Sequence, residues 1–194
     1  MSLSFNKSWV AVANRALAIM GDLGDQTIIS LDESNATARA CKRTLPGAIS
    51  EVLETHPWSF AITRQALSRL EDAPLYGFAY AYQLPTDPKC LRVLGAENSP
   101  LYRIVGDTLE TDEETINIEF LALVTDPNKF PQKVLNVISL LVAANLVGEL
   151  EGQPGRVGDL MRQYMQALLQ AQELDANQDR NQVAATDTWI ASRG

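Results

Sequence analysis

The sequence holds one histidine, His56, and two cysteines, Cys41 and Cys90. A Ser-His-Asp or Cys-His centre would have to use His56 as the base beside its nucleophile. His56 instead stands before Pro57 in an apolar corner, His56-Pro57-Trp58-Ser59-Phe60-Ala61, where a structural histidine is the simpler reading. Metal ligation needs several His, Cys or carboxylate groups at matched spacings, and these three residues do not supply them. Each cysteine reads more readily as a buried free thiol than as half of a disulfide. A glycosidase needs two carboxylates about 5–10 Å apart in a cleft. Glu51 and Glu54 fall on the outer side of an amphipathic helix, and Asp112-Glu113-Glu114 reads as a loop. Gly152-Gln153-Pro154-Gly155-Arg156 lacks the spacing and the Lys-Ser/Thr pair of a phosphate loop. These residue types therefore argue against an enzyme, and no cofactor or metal site is expected.

The elements that would position such groups have clearer signals. The 194 residues are 46% hydrophobic and 21% charged, enough for a sizeable core. The formal net charge of −8 argues against a general nucleic-acid-binding surface. No basic, apolar, small-residue leader opens the sequence, so an intracellular origin is expected. Ser8 caps a first helix that stops at Met20-Gly21, with Val10, Ala13, Leu17 and Met20 on one face. A loop over 21–31 follows. Ser34 then caps a second helix whose stripe, Ala38, Cys41, Leu45, Ile49 and Val52, crosses Pro46. That segment is either one kinked helix or two stacked pieces. His56-Pro57 ends it, and Ala61, Ala66, Leu67 and Leu70 predict a third helix over 60–70.

The middle of the chain changes period. Tyr76, Phe78, Tyr80 and Tyr82 alternate with small residues, as an extended segment does. Further strands are expected over 91–94, 101–105, 108–111 and 116–124. Gly106-Asp107 forms a two-residue hairpin turn. Asp126 starts the next helix, with Pro131 in its first turn. From Val134 to Val147 apolar residues run almost all round, interrupted by Asn136, Ser139 and Asn145. That run of roughly 14 residues is short of the ~18–20 that spanning a membrane needs; a central bundle helix explains it better. A turn at 151–155 leads to a last helix over 156–174, with Val157, Leu160, Met161, Tyr164, Leu168, Ala171 and Leu174 inward. The segment after Asp175 is polar up to Trp189-Ile190. Alone it is polar enough to stay disordered and to order on a partner. Trp189 and Ile190 either anchor in a partner's pocket or fold back on their own domain.

The expected fold class is mainly α, of α+β type: a helical bundle with a small inserted antiparallel β-sheet and hairpin, and an extended C-terminal tail. Residues 1–75 and 126–175 form the two parts of the bundle, 76–125 the β subdomain, and 176–194 a flexible tail.

Several stretches occur in a telling order. Ala16-Leu17 through Gly21 precedes Ile28-Ile29-Ser30-Leu31-Asp32-Glu33-Ser34. Then come Ala38, Ala40-Cys41, Leu45-Pro46, Val52-Leu53 and His56-Pro57-Trp58-Ser59-Phe60-Ala61. Tyr80-Ala81-Tyr82-Gln83-Leu84-Pro85-Thr86-Asp87 follows, then Tyr102-Arg103, Gly106 and Leu109, and the helices from Phe130-Pro131 through Leu150 and ending at Ala171 to Asp175. In this order the chain resembles the tail tubular protein A family, the head-to-tail adaptors (connectors) of short-tailed bacteriophages. The likeness spans residues 9–175. It implies a structural protein of the virion tail, assembled in the host cytoplasm as a homo-oligomeric ring of twelve. The ring sits beneath the portal protein, carries the tail nozzle protein, and lets double-stranded DNA pass without specific binding. No membrane is involved. It also implies that the C-terminal segment reaches the portal, so Trp189 and Ile190, with the hairpin tip Gly106 and Asp107, are the candidate partner-binding residues. Two alternatives remain: a virion-associated cell-wall hydrolase using paired carboxylates, and an unrelated helical interaction module.

Overall fold

The computed structural model describes the backbone of residues 7–21, 27–150 and 154–191, and side chains over 7–21, 27–149 and 154–177. Over these residues it is an α+β structure of four α-helices and two small antiparallel sheets. The chain divides into two compact units, Met1–Val52 with Asp126–Gly194, and Leu53–Thr125.

The first unit is helical. Helix α1, Trp9–Met20, begins where the Ser8 side chain accepts from the Ala11 N–H at 3.1 Å. It ends at Gly21, whose φ of 77° suits glycine and whose N–H reaches the Leu17 carbonyl. Asn14 pins the returning chain: its side chain donates to the Ile28 carbonyl at 2.8 Å and accepts from the Ile28 N–H at 2.9 Å. Of the loop expected over 21–31, residues 22–26 lie outside the described residues. Helix α2, Ala36–Glu54, is capped by Asn35 rather than Ser34, since the Asn35 Oδ1 accepts from the Ala38 N–H at 2.7 Å. The helix continues through Pro46 as one element. Pro46 cannot donate to the carbonyl one turn back, but every other donor of the helix is available to carry it past.

Helix α3, Gln132–Leu150, is the hub and packs against α1. Val134, Leu135, Val137, Ile138, Leu141, Val142, Ala143, Ala144, Leu146 and Val147 are all buried, so no single face is apolar. Its buried Ser139 hydroxyl lies 2.9 Å from the Leu135 carbonyl and 3.3 Å from that of Val12 on α1. Asp126 caps a short 3-10 turn, Pro127–Lys129, instead of α3 itself, and Pro131 stands just before the helix. No described helix is long and apolar enough to cross a membrane. Arg43 of α2 pairs with Glu149 of α3.

Helix α4, Pro154–Ala191, starts earlier and runs further than the 156–174 expected. It packs on α3 through Leu160, Tyr164, Leu168 and Ala171, a spacing that keeps one face inward. Leu174, expected inward, is exposed, because Asp175 occupies the buried position one residue on. Of the turn expected at 151–155, residues 151–153 lie outside the described residues, and Pro154 and Gly155 already belong to α4. The backbone expected as a tail enters α4 as far as Ala191.

The second unit is the β unit. The third helix expected over 60–70 is absent. Ser59–Ala61 forms a 3-10 turn, followed by strands β1, Ile62–Ala66, and β2, Ser68–Arg69. Ile62 and Thr63 are β-branched, and the ladder to a strand far along the chain outweighs a weak helical stripe. The other strands are β3, Tyr80–Gln83, β4, Cys90–Ala96, β5, Tyr102–Val105, β6, Thr108–Thr111, and β7, Asn117–Ala122. One sheet has the order β1-β7-β4 and the other β2-β3-β6-β5. Tyr82, Leu109, Ile116, Ile118, Phe120 and Ala122 form their shared apolar core. The alternation read from Tyr76 becomes a strand only at Tyr80.

Two outcomes test this packing. Trp58 is fully buried, so Trp58→Ala should cost about 3–5 kcal/mol in denaturant unfolding. The second concerns pH. The Lys42 ammonium, bonded at 2.6 Å, lowers the Asp32 carboxyl. The Ser30 and Ile29 N–H groups lower that of Glu33. Both folded values are depressed, so their stabilisation is present above the unfolded values and is lost as pH falls through the folded ones. Glu33→Gln should therefore flatten the fall of Tm on acidification below about pH 4; an unchanged slope would assign that fall to other groups.

Candidate assembly surfaces

The residues with chemical potential have mostly structural surroundings, although Glu54 and Cys90 both line one cleft. His56 stacks edge-on against Trp58 with ring centroids 4.9 Å apart. Cys41 is buried and free; Cys90 is half-buried and free. Burial pushes both thiols up, away from the reactive thiolate. Glu51 and Glu54 are on the exposed side of α2. Asp112 accepts from the Ala79 N–H at 2.9 Å, and the Glu113 carbonyl accepts from the Tyr82 hydroxyl at 2.7 Å, so that acidic run closes a loop. Among the described residues, no group of three or more His, Cys, Asp or Glu is placed to hold a metal.

What the β unit does present is apolar surface at a sheet edge. Strand β5 is terminal in its sheet, so one row of its backbone groups has no strand partner. Natural edges are usually guarded by charge. Here Leu101, Ile104 and Val105 are exposed, and the strand's one charge, Arg103, turns inward to Glu110. Its Nη2 and Nε lie 2.6 and 3.2 Å from one Glu110 oxygen. That carboxylate raises the Arg103 pKa further. The guanidinium also lies over Tyr76 and Phe78, at 5.4 and 5.9 Å from their ring centroids. Gly106 and Asp107 make the β5–β6 turn, as the sequence predicts. Gly106 has φ 61°, and the Asp107 carbonyl is tied to the Leu84 N–H at 2.9 Å and to Gln83 at 3.0 Å. The tip is therefore fixed against β3.

Two clefts open on this unit. One, of about 550 Å³, lies along β1, β7 and β4; its Arg64–Glu119 pair at 2.6 Å and Asn117–Glu97 bond at 2.6 Å already satisfy much of its polar lining. The other, of about 440 Å³, lies between β4 and the hairpin tip. Leu84, Leu91, Val93 and Ile104 give it an apolar lining, and Arg92 of β4 and Lys89 just before that strand add two cations. Both cations are exposed and form no ion pair among the described residues. Sequence reading missed this cleft, although the Lys89-Cys90-Leu91-Arg92-Val93 run signals an amphipathic edge. In the helical unit, α4 exposes Met165, Leu169 and Leu174. Trp189 and Ile190 fall within the helical span of α4, but their side chains lie outside the described residues.

No protein-family model matches the chain, and comparison with curated proteins returns no match.

The Arg103–Glu110 pair gives one test. Glu110 is nearly buried while Arg103 is 44% exposed, so solvent screens part of their attraction. Arg103→Ala should lower stability, chiefly by stranding the Glu110 carboxylate. Chemical denaturation of this variant, beside Glu110→Gln with Arg103→Ala together, reads that asymmetry.

Proposed function

We propose that this protein is a head-to-tail adaptor of a short-tailed phage or prophage. Twelve copies form a ring beneath the portal, extend the DNA channel and offer a platform for the tail nozzle. It is a structural protein of the virion tail, assembled in the host cytoplasm, with no catalytic, cofactor or membrane role.

The observation that carries this reading is where the family-like residues fall. His56-Pro57-Trp58-Ser59-Phe60-Ala61 is the passage from α2 into β1. Gln83-Leu84-Pro85-Thr86-Asp87 is the passage out of β3 towards β4, and Phe130-Pro131 leads into α3. Part of the resemblance thus falls on passages between elements, and much of the rest, spread over residues 9–175, lies within the helices and strands themselves. The exposed apolar side chains of both units add support, since a subunit of a ring must offer its neighbours unsatisfied surface. The net charge of −8 suits a channel through which DNA slides, because a wall that repels phosphate does not hold it.

Light scattering of the purified chain, alone and then with the portal protein encoded beside it, tests the proposal. A twelve-to-twelve complex is expected, and a chain that ignores the portal would overturn the reading. Within that complex, Trp189→Ala or Ile190→Ala should weaken portal binding by about 2 kcal/mol, roughly thirtyfold, if the C-terminal segment is its anchor. Equal affinity in titration calorimetry would remove the segment from the contact.

A further inference from the structure

The loop over 71–76 reads Glu71-Asp72-Ala73-Pro74-Leu75-Tyr76 and forms neither helix nor strand. Leu75 is 99% exposed and Tyr76 is 73% exposed, so the chain's own structure leaves this apolar tip almost untouched. The loop is nonetheless restrained. Pro74 fixes its own φ and restricts Ala73 before it, and the Arg103 guanidinium lies over the Tyr76 ring. A short, restrained apolar tip loses little freedom on docking. Two carboxylates, both exposed, precede it.

The cleft beside β4 has the complementary character. Its floor is Leu84, Leu91, Val93 and Ile104; Arg92 stands on the edge strand β4, and Lys89 just before it. The acidic residues of the lining, Glu54 and Asp107, come from other elements, the end of α2 and the hairpin turn. An acidic segment is therefore favoured on the β4 side alone, which gives the occupant a direction. The pairing of β4 with β7 slips between Cys90 and Arg92 and again between Val93 and Gly95. Such bulges break the even row of backbone groups along an edge. The cleft is thus suited to side chains rather than to an added strand.

We propose that the 71–76 loop of one copy seats in the β4 cleft of a second copy, with Glu71 and Asp72 against Lys89 and Arg92 and Leu75 on the apolar floor. The contact rests on the ring-forming reading above and names its interface. Loop and cleft are different patches of the same β unit, so the contact is heterologous, and its repetition generates a ring where the rotation closes. The exposed charges set direction and register, and burial of Leu75 and Tyr76 supplies most of the affinity.

Cys90 lines the cleft and permits a direct test on the full-length protein. A Leu75→Cys chain, assembled with the portal and mildly oxidised at slightly alkaline pH, should give a ladder of disulfide-linked copies on a non-reducing gel. The ladder should vanish in Leu75→Cys with Cys90→Ala. It should also be missing from Ile29→Cys, whose residue is as exposed but lies in the helical unit. Lys89→Glu with Arg92→Glu should raise the protein concentration needed for assembly about tenfold, and adding Glu71→Lys with Asp72→Lys should restore it. The charge-reversed residues Lys89, Arg92, Glu71 and Asp72 are all exposed, so the fold is not at stake. Rings that form without the ladder, and that ignore the charge reversal, would overturn this contact and leave the adaptor reading standing. A wild-type chain that never assembles with the portal would overturn both. Loss of one-to-one portal binding by the charge-reversed monomer would assign the cleft to a portal segment instead.

Discussion

Antiparallel pairing of β1 with β7 sets Ile62 opposite Leu121 and Ala66 opposite Asn117. This pairing joins the first and last strands of the β unit. The pairing therefore brings together stretches near the two ends of the β unit, although more than fifty residues intervene. The remaining strands hang on this pair. β4 flanks β7, and the core residues Ile118 and Phe120 of β7 meet Tyr82 and Leu109 of the second sheet. Loss of the β1–β7 ladder would leave the second sheet without a layer to pack on.

In the helical unit the same role falls to α3. A helix buried over most of its circumference has apolar side chains on several faces, so its polar residues help to fix its rotation. Ser139 faces α1 through its 3.3 Å approach to the Val12 carbonyl, and Glu149, near the helix end, faces α2 through Arg43. Between them these contacts orient α3, while its Val, Leu, Ile and Ala side chains supply bulk without direction.

Local signals were the legible ones. The Ser8 and Gly21 caps, the Gly106-Asp107 turn and the strand over 108–111 are each written within a few residues, and each stands as the sequence suggests. The 60–70 segment failed because its partner strand lies far along the chain, and nothing local reports a ladder. Asn35 took the cap from Ser34 because Ser34's neighbour sits one residue closer to the first turn, a difference propensity does not resolve. The hairpin tip among the candidate binding residues was legible for the same local reason. The β4 cleft was not, since it is made by an edge strand and a turn that meet only after both sheets have formed.

Acidity and exposed apolar surface pull this chain in opposite directions. An excess of eight negative charges keeps copies apart at separations up to the screening length, about 8–10 Å in physiological salt. Apolar side chains such as Leu75, Leu101 and Leu169 attract only on contact. A partner, another copy included, thus gains nothing from a random approach and must arrive with opposite charges aligned before the apolar groups meet. Lys89 and Arg92, which form no ion pair among the described residues, then mark a place in an acidic chain where a negative partner is tolerated. Charge of this kind adds little affinity but selects the orientation, which is what a closed assembly requires and a precipitate does not.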